Sequence, residues 1–142
     1  MNKKKQIAAI EGLFTWPSRD PRLLATKCKS CGNVRFPTGG TCNNPYCSDR
    51  TSIEDIELSK RGKVFSYMIE YYEPPLPFRA SKPFKPYGVG FVELPDGIRI
   101  LGMMTGCDIK DIKVGMDVEL VVEKLYEDEQ GNEIMTWKWK AV

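Results

Sequence analysis

The sequence predicts a mainly β protein: a short N-terminal arm, a small cysteine-bearing module, and then a five-stranded barrel of the OB type. Three observations predict it. Four cysteines fall within the twenty residues from Cys28 to Cys47. From Gly62 onward, runs rich in β-branched and aromatic residues alternate with turn signals, which is the pattern of strands joined by hairpins. Five such runs, with only a short irregular stretch between the third and fourth, suit a small closed barrel.

The arm comes first, over residues 1–22. Ile7, Ile10 and Leu13 recur at helical spacing, so Lys3 to Leu13 predicts a short helix. Trp16-Pro17 and Asp20-Pro21 then break it, and the arm continues extended. Lys3, Lys4 and Lys5 read either as a basic patch for RNA or membrane, or as a solvated terminus.

The cysteine module occupies residues 23–58. Its spacing is C-x2-C, ten intervening residues, then C-x4-C, in two knuckles separated by a hairpin around Val34-Arg35-Phe36-Pro37. A tight turn brings the two sulfurs of each pair together, and four thiolates close a tetrahedron on one cation. Gly32 suits the first turn. Reduced cytoplasmic thiols at this density read as metal ligands rather than disulfides. A catalytic zinc keeps an open position for water, which four cysteines with no histidine do not offer. Cys28, Cys31, Cys42 and Cys47 therefore read as ligands of one structural Zn2+. Iron in a small electron carrier would use similar ligands, although Cys42-Asn-Asn-Pro-Tyr-Cys47 is longer than that pattern. Ile53 to Lys60 reads as the connector.

The barrel spans residues 59–142. Val64 to Tyr72 and Tyr87 to Leu94 are its first strands. Asp96-Gly97 turns the chain into a third, Ile98 to Met104, because this dipeptide favours hairpins. Asp117 to Lys124 alternates cleanly, and Gln130-Gly131-Asn132 turns it into Ile134 to Lys140.

Composition narrows the chemistry. The 142 residues carry 42% hydrophobic and 28% charged side chains, the balance of a globular chain. No apolar run reaches the ~20 residues of a membrane span, and Met1-Asn2-Lys3 leads into no signal-peptide segment, so the expectation is a cytoplasmic protein with no membrane partner. The net charge of +2, with acidic residues between the basic ones, argues against nucleic acid. Zero histidines removes the commonest general base. No catalytic residue is expected.

Three further features invite a role. Cys107, in Thr105-Gly-Cys-Asp108, reads as a nucleophile or as a small packed side chain, and without a histidine to activate it the second reading is preferred. The stretch Glu73 to Tyr87 holds five of the ten prolines, with Phe78 and Phe84 among Arg79, Lys82 and Lys85. It is either a clamp on a partner or on a phosphorylated ligand such as coenzyme A, or a long loop folded back on the barrel. Trp137 and Trp139 share one face of the last strand and read as core or interface in preference to a base-stacking platform.

Four segments carry a resemblance: Cys28-Lys-Ser-Cys-Gly-Asn-Val-Arg-Phe-Pro37, Gly62-Lys-Val-Phe-Ser-Tyr67, Pro86-Tyr-Gly-Val-Gly-Phe-Val-Glu-Leu94, and Gly106-Cys-Asp-Ile-Lys-Asp-Ile-Lys-Val-Gly-Met-Asp-Val118. Over nearly its whole length the chain resembles the rubredoxin-like zinc-ribbon/OB-fold family long called DUF35, found with acyl-CoA enzymes. The x4 spacing of the second knuckle departs from the family's commoner x2. The resemblance implies an accessory subunit, non-catalytic itself, that pairs with a thiolase-fold catalytic subunit and helps form its acyl-CoA channel. Thiolysis needs a cysteine with histidine support, so the chemistry would lie on the partner. The alternatives are a single-stranded nucleic-acid binder on the OB barrel and the iron electron carrier.

Overall fold

The computed structural model describes residues 5–10, 12–72 and 84–142. Nine strands run through them: β1 (Gln6–Ala8), β2 (Leu24–Cys28), β3 (Val34–Arg35), β4 (Ile53–Glu57), β5 (Arg61–Glu70), β6 (Tyr87–Leu94), β7 (Ile98–Thr105), β8 (Asp117–Glu127) and β9 (Glu133–Ala141). The sole helical turn among the described residues is a 3₁₀ turn over Ile109–Asp111. No helix there is long and apolar enough to cross a membrane.

The expected N-terminal helix is corrected. Gln6–Ala8 is a strand lying parallel to Glu133–Met135 of β9, with the Glu133 N–H donating to the Lys5 carbonyl and the Ala9 N–H to the Met135 carbonyl. A helix this short is marginal in water, because nucleation fixes several dihedrals for one hydrogen bond. The open edge of β9 offers the same backbone groups immediate partners, and tertiary pairing overrides the weak helical spacing. The stretch Ile53–Glu57 also departs from expectation. It pairs antiparallel with all of β2, from Leu24↔Glu57 to Cys28↔Ile53, and with β3 completes a three-stranded sheet in the cysteine module.

Strands β5 to β9 close as a barrel in the order β9-β7-β6-β5-β8, with β8 returning to β9. Alternation sets which side chains face in. Along β6, Gly88, Gly90, Val92 and Leu94 are buried, and the residues between them are not. Across the interior, Ile100 and Met104 of β7, Val118 and Leu120 of β8 and Trp139 of β9 meet them. Gly102 exists for close approach. A Cβ there would lie 2.7 Å from Trp139 Cδ1 and 2.9 Å from Trp137 Nε1.

The cysteine module and the barrel share this core. Leu23, Ala25 and Leu58 are fully buried in one cluster with Val64, Val92 and Trp139, and Phe14 of the arm joins them. Trp137 sits at the junction. It packs edge-on against Phe14 at 6.3 Å and Phe36 at 5.8 Å, and its Nε1 donates to the Leu101 carbonyl at 3.2 Å. Each such aromatic pair contributes ~0.5–1.5 kcal/mol beyond the area it buries.

Candidate metal centre

Cys28 ends β2 and is followed by a tight turn. The Gly32 N–H donates to the Cys28 carbonyl at 2.9 Å, and the Cys28 N–H to the Asn33 carbonyl at 2.8 Å. Gly32 has φ +80°, in the left-handed region where a Cβ is costly, and this lets the chain reverse beneath the first pair of sulfurs. The second knuckle is built from asparagine. The Asn44 side-chain oxygen accepts from the Tyr46 N–H at 3.0 Å, the Cys47 N–H donates to the Asn44 carbonyl at 3.1 Å, and the loop closes where the Cys42 N–H meets the Arg50 carbonyl at 2.8 Å. Arg50 Nε donates back to the Cys42 carbonyl at 3.1 Å. This local bonding by asparagine is how four intervening residues hold a turn that two ordinarily hold.

The two knuckles bring Cys28, Cys31, Cys42 and Cys47 together with all four sulfurs within 4.8 Å of one another. Cys28 and Cys47 lie 3.6 Å apart, as do Cys31 and Cys42, and none is in a disulfide. Zinc–sulfur bonds of about 2.3 Å at tetrahedral angles set sulfurs roughly 3.8 Å apart, so the donor set fits Zn2+ in number, type and spacing. Cys28 and Cys42 are buried, Cys47 is half-buried and Cys31 is exposed. The backbone N–H of Asn33 is the main influence holding the Cys31 thiol down to about 6, and desolvation pushes Cys47 up to about 11. Thiols this crowded cannot all ionise against one another unaided, and a divalent cation supplies the missing counter-charge. Further amides face the sulfurs, with the Asn44 N–H donating to Cys42 Sγ at 3.4 Å. The Asn43-Asn44-Pro45 run is the sequence signal for this supporting shell, which spacing alone did not reveal.

The other candidates are scattered. Cys107 is half-buried just past β7 against the barrel core, and burial, then Asp111 and Asp108, push its thiol up, the reverse of an activated nucleophile. Trp139 is fully buried core. Phe84 is half-buried and stacks edge-on with Tyr87 at 6.1 Å, and Lys85 is exposed. Phe78, Arg79 and Lys82, the rest of the expected clamp, lie outside the described residues.

A small cysteine ribbon sharing its core with an OB-type barrel is the class of protein that this fold and site define. Residues 16–54 match the family described as "ChsH2, rubredoxin-like zinc ribbon domain" and residues 55–123 the one described as "ChsH2, C-terminal OB-fold domain". The chain belongs to this zinc-ribbon/OB-fold family, the DUF35 proteins. It is 36% identical over 106 residues to a DUF35 domain-containing scaffold protein of Methanocaldococcus jannaschii, covering 75% of this chain and 71% of that one. It is 27% identical over 124 residues to benzoylsuccinyl-CoA thiolase subunit BbsA of Thauera aromatica, covering 87% and 79%. Among solved structures it is similar to a chain of the Ltp2-ChsH2(DUF35) aldolase, with a TM-score of 0.64, 27% identity and 84% of each chain covered.

Proposed function

We propose that this chain is a non-catalytic, zinc-binding accessory subunit of a thiolase-type acyl-CoA enzyme complex. It docks on a thiolase-fold catalytic subunit and helps form or steady the acyl-CoA site. The observation that carries this reading is that relatives matched over most of their length are described as scaffold proteins and as a thiolase subunit. The chemistry of the chain agrees. It has no histidine, its four clustered thiols fit a closed metal site, and its fifth is half-buried with a raised pKa. In this reading the arm, the ribbon and the barrel occupy residues 1–22, 23–58 and 59–142. Cys28, Cys31, Cys42 and Cys47, holding zinc, fix the ribbon against the barrel, and Phe78, Arg79, Lys82, Phe84 and Lys85 are the residues proposed to contact CoA or the partner. The narrower reading assigns the complex to thiolysis of 2-benzoylsuccinyl-CoA in anaerobic toluene breakdown, which the likeness to BbsA supports.

The test is an affinity pull-down of the tagged chain from its host, with partners identified by mass spectrometry. The reconstituted complex is then assayed for CoA-dependent cleavage of 3-oxoacyl-CoA and of 2-benzoylsuccinyl-CoA. A thiolase-fold partner whose activity falls when this chain is omitted supports the reading. Nucleic acid in its place overturns it. A red protein would mean ferric iron in the cysteine site and an electron carrier instead; zinc is colourless.

A further inference from the structure

The four thiols of the metal centre are unequally placed. Cys28 and Cys42 are buried, Cys47 is half-buried, and of the four only Cys31 is exposed. The first knuckle is open beside it, since a Cβ added to Gly32 would meet nothing within 4 Å. The opposite side is roofed: the Asp49 carbonyl lies 3.7 Å from Cys28 Sγ and 3.4 Å from Cys47 Sγ. That roof is braced locally, because the Asp49 carboxylate accepts from the N–H and the hydroxyl of Thr51 at 3.2 Å and 2.9 Å.

The sulfurs also fall into two pairs. Cys31 Sγ is 3.6 Å from Cys42 Sγ across the two knuckles, and Cys28 Sγ is 3.6 Å from Cys47 Sγ. Either pair is within a side-chain adjustment of the roughly 2.05 Å of an S–S bond. Exposure separates them. Coordination to a divalent cation deprotonates a thiol outright, so every sulfur of the loaded centre is a thiolate. Oxidation selects the thiolate that water reaches, and it stops at a disulfide where a second thiol stands beside the first. Cys31, with Cys42 next to it, meets both conditions; Cys28 and Cys47 lie under the Asp49 roof.

We infer that Cys31 is a modification site for hydroperoxides, with Cys42 as its resolving partner, and that oxidation of this pair empties the metal centre. This rests on the zinc part of the reading above and not on the thiolase partner. The Cys31 thiolate attacks one oxygen of the hydroperoxide: an S–O bond forms, the O–O bond breaks, and hydroxide or alkoxide leaves. The Cys42 thiolate then attacks the Cys31 sulfenic sulfur: the S–S bond forms, the S–O bond breaks, and hydroxide leaves. Two electrons pass from the sulfurs to the peroxide. With hydrogen peroxide, two thiolates and two protons give one disulfide and two waters. Cys28 and Cys47 remain as donors, half of what a closed zinc site uses. Ribbon and barrel share one core, so the oxidised chain is left in the same state as the chelated one.

The test uses the full zinc-loaded chain and its Cys107→Ser variant, which lacks the one cysteine outside the centre. Hydrogen peroxide is added below stoichiometry. Released zinc is read with a colorimetric chelator against a peroxide-free control, and disulfides and dimedone-trapped sulfenic acid are mapped by peptide mass spectrometry. Both chains are expected to give a Cys31–Cys42 disulfide as main product, dimedone at Cys31, and one zinc released for each disulfide. Dithiothreitol and fresh zinc are expected to restore one zinc per chain. A Cys28–Cys47 disulfide as main product, or dimedone chiefly at another cysteine, would overturn the inference and leave the zinc reading intact. So would zinc retained under peroxide that fully oxidises free cysteine in the same solution, or zinc release that Cys107→Ser abolishes. A chain that purifies without zinc and takes none up when supplied overturns the zinc reading itself, and this inference with it.

Discussion

Gly102→Ala adds one methyl group to the surface of β7 that faces the tryptophans. Its Cβ would lie 2.7 Å and 2.8 Å from Trp139 Cδ1 and Nε1, and 2.9 Å from Trp137 Nε1. Comfortable contact is ~3.5–4.0 Å, so the overlap is about 0.8 Å on three atoms at once. Neither ring can retreat freely, since Trp139 is fully buried and Trp137 is held by Phe14, Phe36 and the Leu101 carbonyl. Overpacking of this kind costs ~1–3 kcal/mol. A chain of this length unfolds with an entropy of about 0.3 kcal/mol/K, so the midpoint falls by roughly 3–10 °C. The assay is thermal unfolding at saturating zinc, read by near-ultraviolet circular dichroism of the tryptophans. Gly40→Ala serves as the reference, because a Cβ there meets nothing within 4 Å and Gly40 is not among the positive-φ glycines. A Gly102→Ala midpoint within 1 °C of that reference would refute the packing argument.

Removing the metal with a strong chelator is expected to lower the midpoint and change the circular dichroism of the whole chain, since ribbon and barrel share one core; no change would refute a structural role for the site. Cys42→Ser and Cys47→Ser are expected to take the zinc content from one per chain to near zero by atomic absorption, and Cys107→Ser to leave it at one. With zinc bound, Cys107 is expected to react with iodoacetamide more slowly than a free cysteine at pH 7 and to accelerate in more alkaline solution, as follows from a raised pKa; fast reaction at pH 7 counts against it. Desolvation of Asp128 is outweighed by hydrogen bonds from Asn132, Gln130 and Gly131, so its folded pKa is lowered. Its contribution is therefore present above the unfolded value of about 4 and lost as pH falls through the folded one. Asp128→Ala should lower the midpoint at pH 7, and the deficit should close in acid.

The legible parts of the sequence were those where local chemistry decides the outcome. The cysteine spacing placed all four thiols at one point, and the Asp96-Gly97 turn and the alternation of β8 placed the barrel strands. The arm was misread because Ile7, Ile10 and Leu13 are as compatible with a strand edge as with a helix, and the open edge of β9, more than a hundred residues away, settled it. Ile53–Glu57 was missed for a related reason: with three acidic residues among five it pairs by backbone register to β2 rather than by a buried face. The outer face of β5 to β7 left a trace in the apolar residues at both parities of Val64 to Met68. Telling which parity faces out required the bulge between Val64 and Ser66, which no local pattern announced.

The barrel is closed unevenly. Strand β5 meets β8 through three residue pairs, Arg61–Lys63 with Glu119–Asp117, and β7 meets β9 through three more, whereas β8 pairs with β9 along nearly its full length. The domain is in effect a clam of two shells, the β5-β6-β7 meander and the β8-β9 hairpin, hinged along two short seams. Amides at Gly62 and Val118, in the shorter β5–β8 seam, are expected to exchange faster than those in the middle of the β8–β9 hairpin. The apolar rows of Phe91 and Leu101 and of Met68, Val89 and Met103 lie on the meander shell alone.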